Sequence, residues 1–154
     1  MLPLLLGVLV AAQTTARSAQ KPADATLAPA DVSGIYTFLR EGEFVQLTVD
    51  DGNLSGYISR IGDSDSDRGQ IIDQFFDKAS LNGDRLSFTT KTIHGLWYEF
   101  SGTISSKPGR RPSEEASRVI KGTLIQHISD DKGASKAMQR QVEFKSFPED
   151  LSRP

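Results

Sequence analysis

The sequence has no cysteine. That excludes disulfides, thiolate metal sites and a lipid-modified cysteine at a signal cleavage point. Tryptophan occurs once and histidine twice. Two histidines cannot make a zinc site unaided, since zinc takes three or four protein ligands. An excess of one charge sign is also missing, with 18 Lys plus Arg against 20 Asp plus Glu. No basic block is large enough to track a phosphate backbone, so nucleic-acid binding is not expected. The basic residues that do cluster, Lys107, Arg110 and Arg111, stand beside Glu114 and Glu115 and read as a solvated loop. No stretch sustains the i, i+3, i+4 spacing of an amphipathic helix. No nucleophile elbow, phosphate-binding loop or dinucleotide fingerprint occurs. Catalysis therefore has no positive signal, and the chain is read as a non-enzyme.

The longest apolar run, Leu4-Leu5-Leu6-Gly7-Val8-Leu9-Val10, is too short to span a bilayer, which takes about 20 residues as a helix. It lies in a segment without charge, Met1 to Ala12, that ends in Val10-Ala11-Ala12. Small side chains at those positions fit signal cleavage after Ala12. The expectation is an exported chain, periplasmic or extracellular, with no membrane span once residues 1–12 are removed. Residues 13–31 carry Ala, Thr, Ser, Pro and charge without period and read as a flexible leader. Residues 32–147 form the folded domain, and 148–154 a C-terminal tail.

Within the domain the apolar period is two. Eight short runs show it: Gly34–Arg40, Phe44–Asp50, Leu54–Ile61, Ile71–Leu81, Arg85–Thr92, Leu96–Ser105, Arg118–Ile128 and Arg140–Phe147. Leu96, Tyr98, Phe100, Gly102 and Ile104 share one face, and Trp97, Glu99, Ser101, Thr103 and Ser105 the other. One buried and one wet face is the mark of antiparallel sheet. Asp51-Gly52-Asn53 and Asn82-Gly83-Asp84 supply turn chemistry for tight hairpins, which implies a meander. A polar-Gly-x-aliphatic pattern recurs at Ser55-Gly56, Ser101-Gly102 and Lys121-Gly122, each glycine falling on the inward face. Such positions let barrel walls bend. The predicted fold is all-β, an up-and-down antiparallel meander of about eight strands closed into a barrel, with a β-sandwich as the alternative.

Val32-Ser33-Gly34-Ile35-Tyr36 resembles the Gly-x-Trp opening of calycin-type barrels, the superfamily of lipocalins, fatty-acid-binding proteins and avidins, with Tyr36 in the aromatic slot. Leu47 to Tyr57 is similar to the second and third strands of avidins. The resemblance implies a barrel that takes a small ligand. Avidins hold biotin with a first-strand Asn, a Ser beyond the next Gly and several tryptophans. Here Phe38 and Gly42-Glu43 stand in that region and Trp97 is alone, so biotin is not implied. The domain as a whole is also similar to small exported bacterial proteins, which implies no activity.

Three places have residues that could carry chemistry. In Gly62-Asp63-Ser64-Asp65-Ser66-Asp67-Arg68-Gly69 the alternating Asp63, Asp65 and Asp67 suit one hard cation, and calcium is the candidate. Arg68 and Gln74 stand where a calcium loop of the EF-hand kind needs Gly and Glu, so any such site is weak and the alternative is an acidic solvated turn. Trp97 and Glu99 share an outward face, where an indole can anchor a partner or a sugar ring. Tyr36, Tyr57 and His94 join them as candidate ligand or partner contacts. The leading expectation is a domain that binds a small apolar ligand, or a protein or glycan partner, through its barrel mouth and loops. The alternative is a small hydrolase or isomerase in which His94 works with a carboxylate, Asp73, Asp77 or Glu99 being the candidates.

Overall fold

The computed structural model describes residues 32–111 and 113–148. They form eight antiparallel strands: β1 (Gly34–Thr37), β2 (Phe44–Asp50), β3 (Asn53–Ile61), β4 (Ile71–Asn82), β5 (Arg85–Thr90), β6 (Leu96–Ser106), β7 (Arg118–Ser129) and β8 (Ser135–Lys145). Each pairs with the next, in the order β1 to β8. The sheet curls into a half-barrel. Among the described residues the one backbone pairing between its two edges is the Tyr36↔Ser146 bridge, where the Phe147 amide donates to the Ile35 carbonyl at 2.9 Å and, beside it, the Lys145 amide donates to Thr37 Oγ1. The predicted all-β meander is therefore observed, with a seam closed at one point.

Local chemistry explains the turns. β2 and β3 are joined by Asp51-Gly52, whose φ angles of 46° and 76° are those of a type I′ hairpin. Gly83, at φ 62°, opens the β4–β5 turn. β1 is shorter than its apolar run, because Phe38 and Arg40 turn back instead: the Phe38 amide donates to the Glu43 carbonyl and the Glu43 amide to the Arg40 carbonyl. β8 begins five residues before the predicted Arg140. Ser135 to Gln139 are mostly exposed and lack alternation, yet they pair with Ser129 back to Ile125 on β7. Ladder hydrogen bonds do not require a patterned side chain.

The inward face is packed solid. Tyr36, Val45, Leu47, Ile58, Leu86, Phe88, Tyr98, Phe100, Ile104, Ile120, Leu124 and Phe144 are all buried in one contiguous core. An aromatic chain runs round it. Phe76 stacks on Phe88 at 4.2 Å, Phe88 on Phe100 at 5.2 Å, and Phe100 meets Phe144 at 5.5 Å. Phe38 then joins Phe144 to Tyr98. The predicted inward glycines serve this packing. Gly102 and Gly122 pair directly across β6 and β7, and the Phe100 ring lies over both. A Cβ on Gly102 would come within 2.6 Å of that ring and 2.3 Å of the Lys121 carbonyl oxygen. The glycines make the hollow that the ring fills.

β4 is the strand where the wall changes course. Its first half, Ile71–Phe75, pairs with β3, and its second half pairs only with β5. A bulge at Asp77, between Phe76 and Lys78, marks the change. Such an extra residue bends the strand and reverses its inward and outward parity. Accordingly Gln74 and Phe76 face inward before the bulge, and Ala79 and Leu81 after it.

Candidate functional site

One end of the half-barrel gathers the β1–β2, β3–β4 and β5–β6 connections, and with them most of the polar candidates. Asp67 is 3% exposed. Its Oδ2 lies 2.9 Å from His94 Nδ1, and its Oδ1 accepts from the Ser64 hydroxyl. The Ser64 bond and the His94 ring together hold the Asp67 carboxyl below its usual range. His94 itself sits at φ 50° in the β5–β6 turn, with its side chain 55% exposed. The carboxylate beside His94 is thus Asp67, not Asp73, Asp77 or Glu99. The two loops are distant in sequence but share an end of the sheet, which a period-two reading does not disclose.

This pairing also bears on the acidic loop. Asp63 binds Arg40 at 2.9 Å, Asp65 binds Arg68 at 2.8 Å, and Asp67 takes His94. The three carboxylates point to three separate partners. Among the described residues no group of three or more His, Cys, Asp or Glu side chains is placed to hold a metal. Asp63, Asp65 and Asp67, singled out by their alternate spacing as a weak calcium possibility beside the acidic-turn reading, do not converge on one point.

Beneath these loops lies a buried polar relay. Arg60 (4% exposed) donates from Nε to Gln74 Oε1 at 2.9 Å. Gln74 is fully buried, and its Nε2 donates to the carbonyls of Lys91 and Leu96. Glu43, also buried, accepts from Arg40 and from the Ile61 amide. These bonds add side-chain ties from β3 through β4 to the β5–β6 turn, beside the β3–β4 ladder of that end. The relay is structural in its reach.

The remaining candidates separate. Tyr36 is wholly buried, its hydroxyl donating to the Val32 carbonyl at 2.7 Å and the Arg118 guanidinium lying 5.9 Å from its ring centre. It is a core residue, closed to any ligand, because the aromatic of the Gly-x-aromatic opening falls on the inward parity of β1. Trp97 is half-buried and stacks on His127 at 3.6 Å, nearly parallel. One face of its indole is therefore taken. His127 Nε2 is buried and 3.5 Å from Glu99 Oε2, too long and poorly aimed for a hydrogen bond.

Tyr57 faces outward, and here the structure assembles a feature the sequence reading missed. Across the outer wall Phe44, Tyr57 and Phe75 form a ladder, with ring centres 6.0 and 5.3 Å apart. Phe75 is 56% exposed, and Ile71, two pleat repeats away on the same face of β4 with Asp73 between them, is 77% exposed. The signal lay in Ile71-Ile72-Asp73-Gln74-Phe75-Phe76, where apolar doublets put one member on each face. Below the ladder, where β4 leaves β3, the wall opens into a groove of about 490 Å³. Gln46, Leu54, Gly56, Phe76, Lys78 and Lys91 are among its lining residues.

No protein family, no curated protein and no solved structure matches the chain. Its site is therefore read from its own geometry. Among the described residues no helix is long and apolar enough to cross a membrane.

Proposed function

We propose that this chain is an exported, non-catalytic barrel-like domain that binds a partner through the outer wall of β2, β3 and β4. The observation that carries the reading is the exposure of Ile71 and Phe75 beside Tyr57 and Phe44 on one face. Large apolar side chains standing together in water mark contact surfaces more often than chance scatter does. The packed interior argues against a hollow that holds an apolar ligand, and it supports a contact site on the wall rather than at the barrel mouth. Export rests on the apolar run Leu4–Val10 and the small residues after it, which lie outside the described residues. Cross-linking from a photoreactive residue at position 75, in the native cells or their medium, tests the reading. Partner adducts at 75 but not at the exposed position 103 on the opposite wall are expected. Equal labelling at both positions, or none at either, overturns it.

A second reading has its own observation. A half-exposed imidazole held by a buried carboxylate, as in His94–Asp67, is the arrangement that orients a general base. It supports a small hydrolase at the loop end. Turnover in an ester and glycoside panel that vanishes in His94→Ala would favour it over the binding domain.

A further inference from the structure

β3 and β4 are hydrogen-bonded from Ile61↔Ile71 to Tyr57↔Phe75 and no further. Beyond that point Asn53–Gly56 pair only with β2, and Phe76–Asn82 only with β5. Two strands thus present unpaired backbone edges to the same groove. Unpaired rows of N–H and C=O are templates for another strand, and folds normally cover, shorten or charge them. Here they flank an opening. Its floor is sealed by the Phe76 ring, which packs so closely on Gly56 that a Cβ there would lie 2.8 Å from it, and which stacks on Phe88 beneath. The groove therefore admits a ligand along the wall without breaching the core. Tyr57 and Phe75 stand at its head.

The rim has a charge preference. Lys78 and Lys91 line the groove, and among the described residues neither forms an ion pair; Asp77 is the one carboxylate among its described lining residues, also without a cation partner there. Two open ammonium groups against one carboxylate favour an acidic occupant.

We propose that this groove takes an extended acidic peptide segment, added as a strand along the free edge of β4, with an apolar side chain seated against Tyr57 and Phe75. Backbone pairing would supply affinity, and the aromatic head and the lysines would supply selection. The free edge is Phe76–Asn82, which at about 3.3 Å per residue is long enough for a segment of roughly six residues. A glycan could use the aromatic head but would leave the peptide rows unpaired. The proposal rests on the partner-binding reading above and specifies the partner's chemistry.

The test pans a phage library of random nine-residue peptides against the full chain. The Lys78→Glu/Lys91→Glu chain, both changes lying on exposed side chains, serves for counter-selection. Acidic sequences should be enriched. A recovered peptide, made synthetically, should lose about tenfold or more in affinity, a difference of ~1.4 kcal/mol, when alternate backbone amides are N-methylated. N-methylation of the intervening amides should leave binding within about twofold, because those amides point away from β4. Backbone amides within Lys78–Asn82 should gain hydrogen-exchange protection in the complex. Failure to enrich any peptide over the counter-selected chain overturns the proposal. So does equal tolerance of N-methylation at both sets of positions. Dimerisation of the free chain that protects the same amides and resists peptide competition also overturns it, making the occupant a second copy. If these fail while cross-linking at position 75 persists, the wall still binds a partner and only strand addition falls.

Discussion

The wall made by β6, β7 and β8 and the wall made by β3 and β4 are built to different standards. The first is unbroken: β6 and β7 pair from Leu96↔Ile128 to Ser106↔Arg118, and β7 and β8 from Val119↔Lys145 to Ser129↔Ser135. Tyr98, Phe100, Ile104, Ile120, Leu124 and Phe144 on its inward face are buried, while the first half of β8 is mostly exposed. The second wall pairs over half its length, bulges at Asp77, and leaves its outer face apolar. Cooperative stability resides where ladders and core coincide, while binding and mobile elements are drawn from less strongly tied regions. Folding stability is expected chiefly from the first wall, and the proposed partner contact lies on the second.

The largest effects should come from the continuous wall. Phe100 is buried beneath two glycines and between Phe88 and Phe144. Phe100→Ala deletes a ring and leaves a cavity, at an expected cost of about 3–5 kcal/mol. Gly102→Val should cost at least about 3 kcal/mol, since its side chain would run into the Lys121 carbonyl and the Phe100 ring. Ser101→Ala, between them and exposed, should stay within about 0.5 kcal/mol. Urea unfolding of the three variants measures this. Similar costs at positions 100 and 101 would erase the distinction between the walls' two faces.

That pattern was legible in the sequence, because burial on one side of a sheet writes itself as period two. Leu96 to Ile104 and Leu86 to Phe88 read correctly for this reason. The turns were legible too, through Asp51-Gly52 and Asn82-Gly83, where backbone conformation selects residue type. The candidate site was not. The split between β3 and β4 depends on a single extra residue at Asp77, and a bulge leaves no compositional mark. The His94–Asp67 pair joins loops 27 positions apart, through sheet geometry alone. Trp97 was placed on the correct face, but only cross-strand register could reveal His127 stacked upon it.

The seam offers an intermediate effect. Burial pushes the Tyr36 hydroxyl up to about 12, against a smaller lowering by Arg118. A phenol that holds its proton more tightly folded than unfolded loses stability as pH rises, here from about 10 to 12. The full loss is about 2–3 kcal/mol for a two-unit shift. Tyr36→Phe has no proton to lose, so its stability should decline less than the parent's over that range. Parallel alkaline profiles would mean that the closure at Tyr36 is open in solution.

The loop end responds in the opposite direction. Because Asp67 has a lowered folded-state value, its contribution is present above the ordinary carboxylate range and is lost as pH falls through the lowered value. Acid unfolding should report this: Asp67→Asn has no carboxylate to titrate, so its stability should decline less than the parent's as pH falls below the ordinary carboxylate range. Parallel acid profiles for parent and variant would separate the two loops.

The smallest expected effect on stability is the most informative about the second wall. Phe75 and Phe100 are the same residue type on opposite sides of one sheet, 56% and 1% exposed. Phe75→Ser removes a ring that already stands largely in water, so unfolding should shift by no more than about 0.5 kcal/mol. The ring contact with Tyr57 is tilted and open to water, so it falls at the low end of the roughly 0.5–1.5 kcal/mol that an aromatic pair adds in favourable geometry. Partner capture should nevertheless fall sharply, because the substitution removes the most exposed ring of the ladder. Urea midpoint and the cross-linking yield from a photoreactive residue at the neighbouring exposed position 71, measured on the same sample, decide it. A large stability loss with capture intact would make Phe75 a packing residue and return the outer wall to the role of its continuous neighbour.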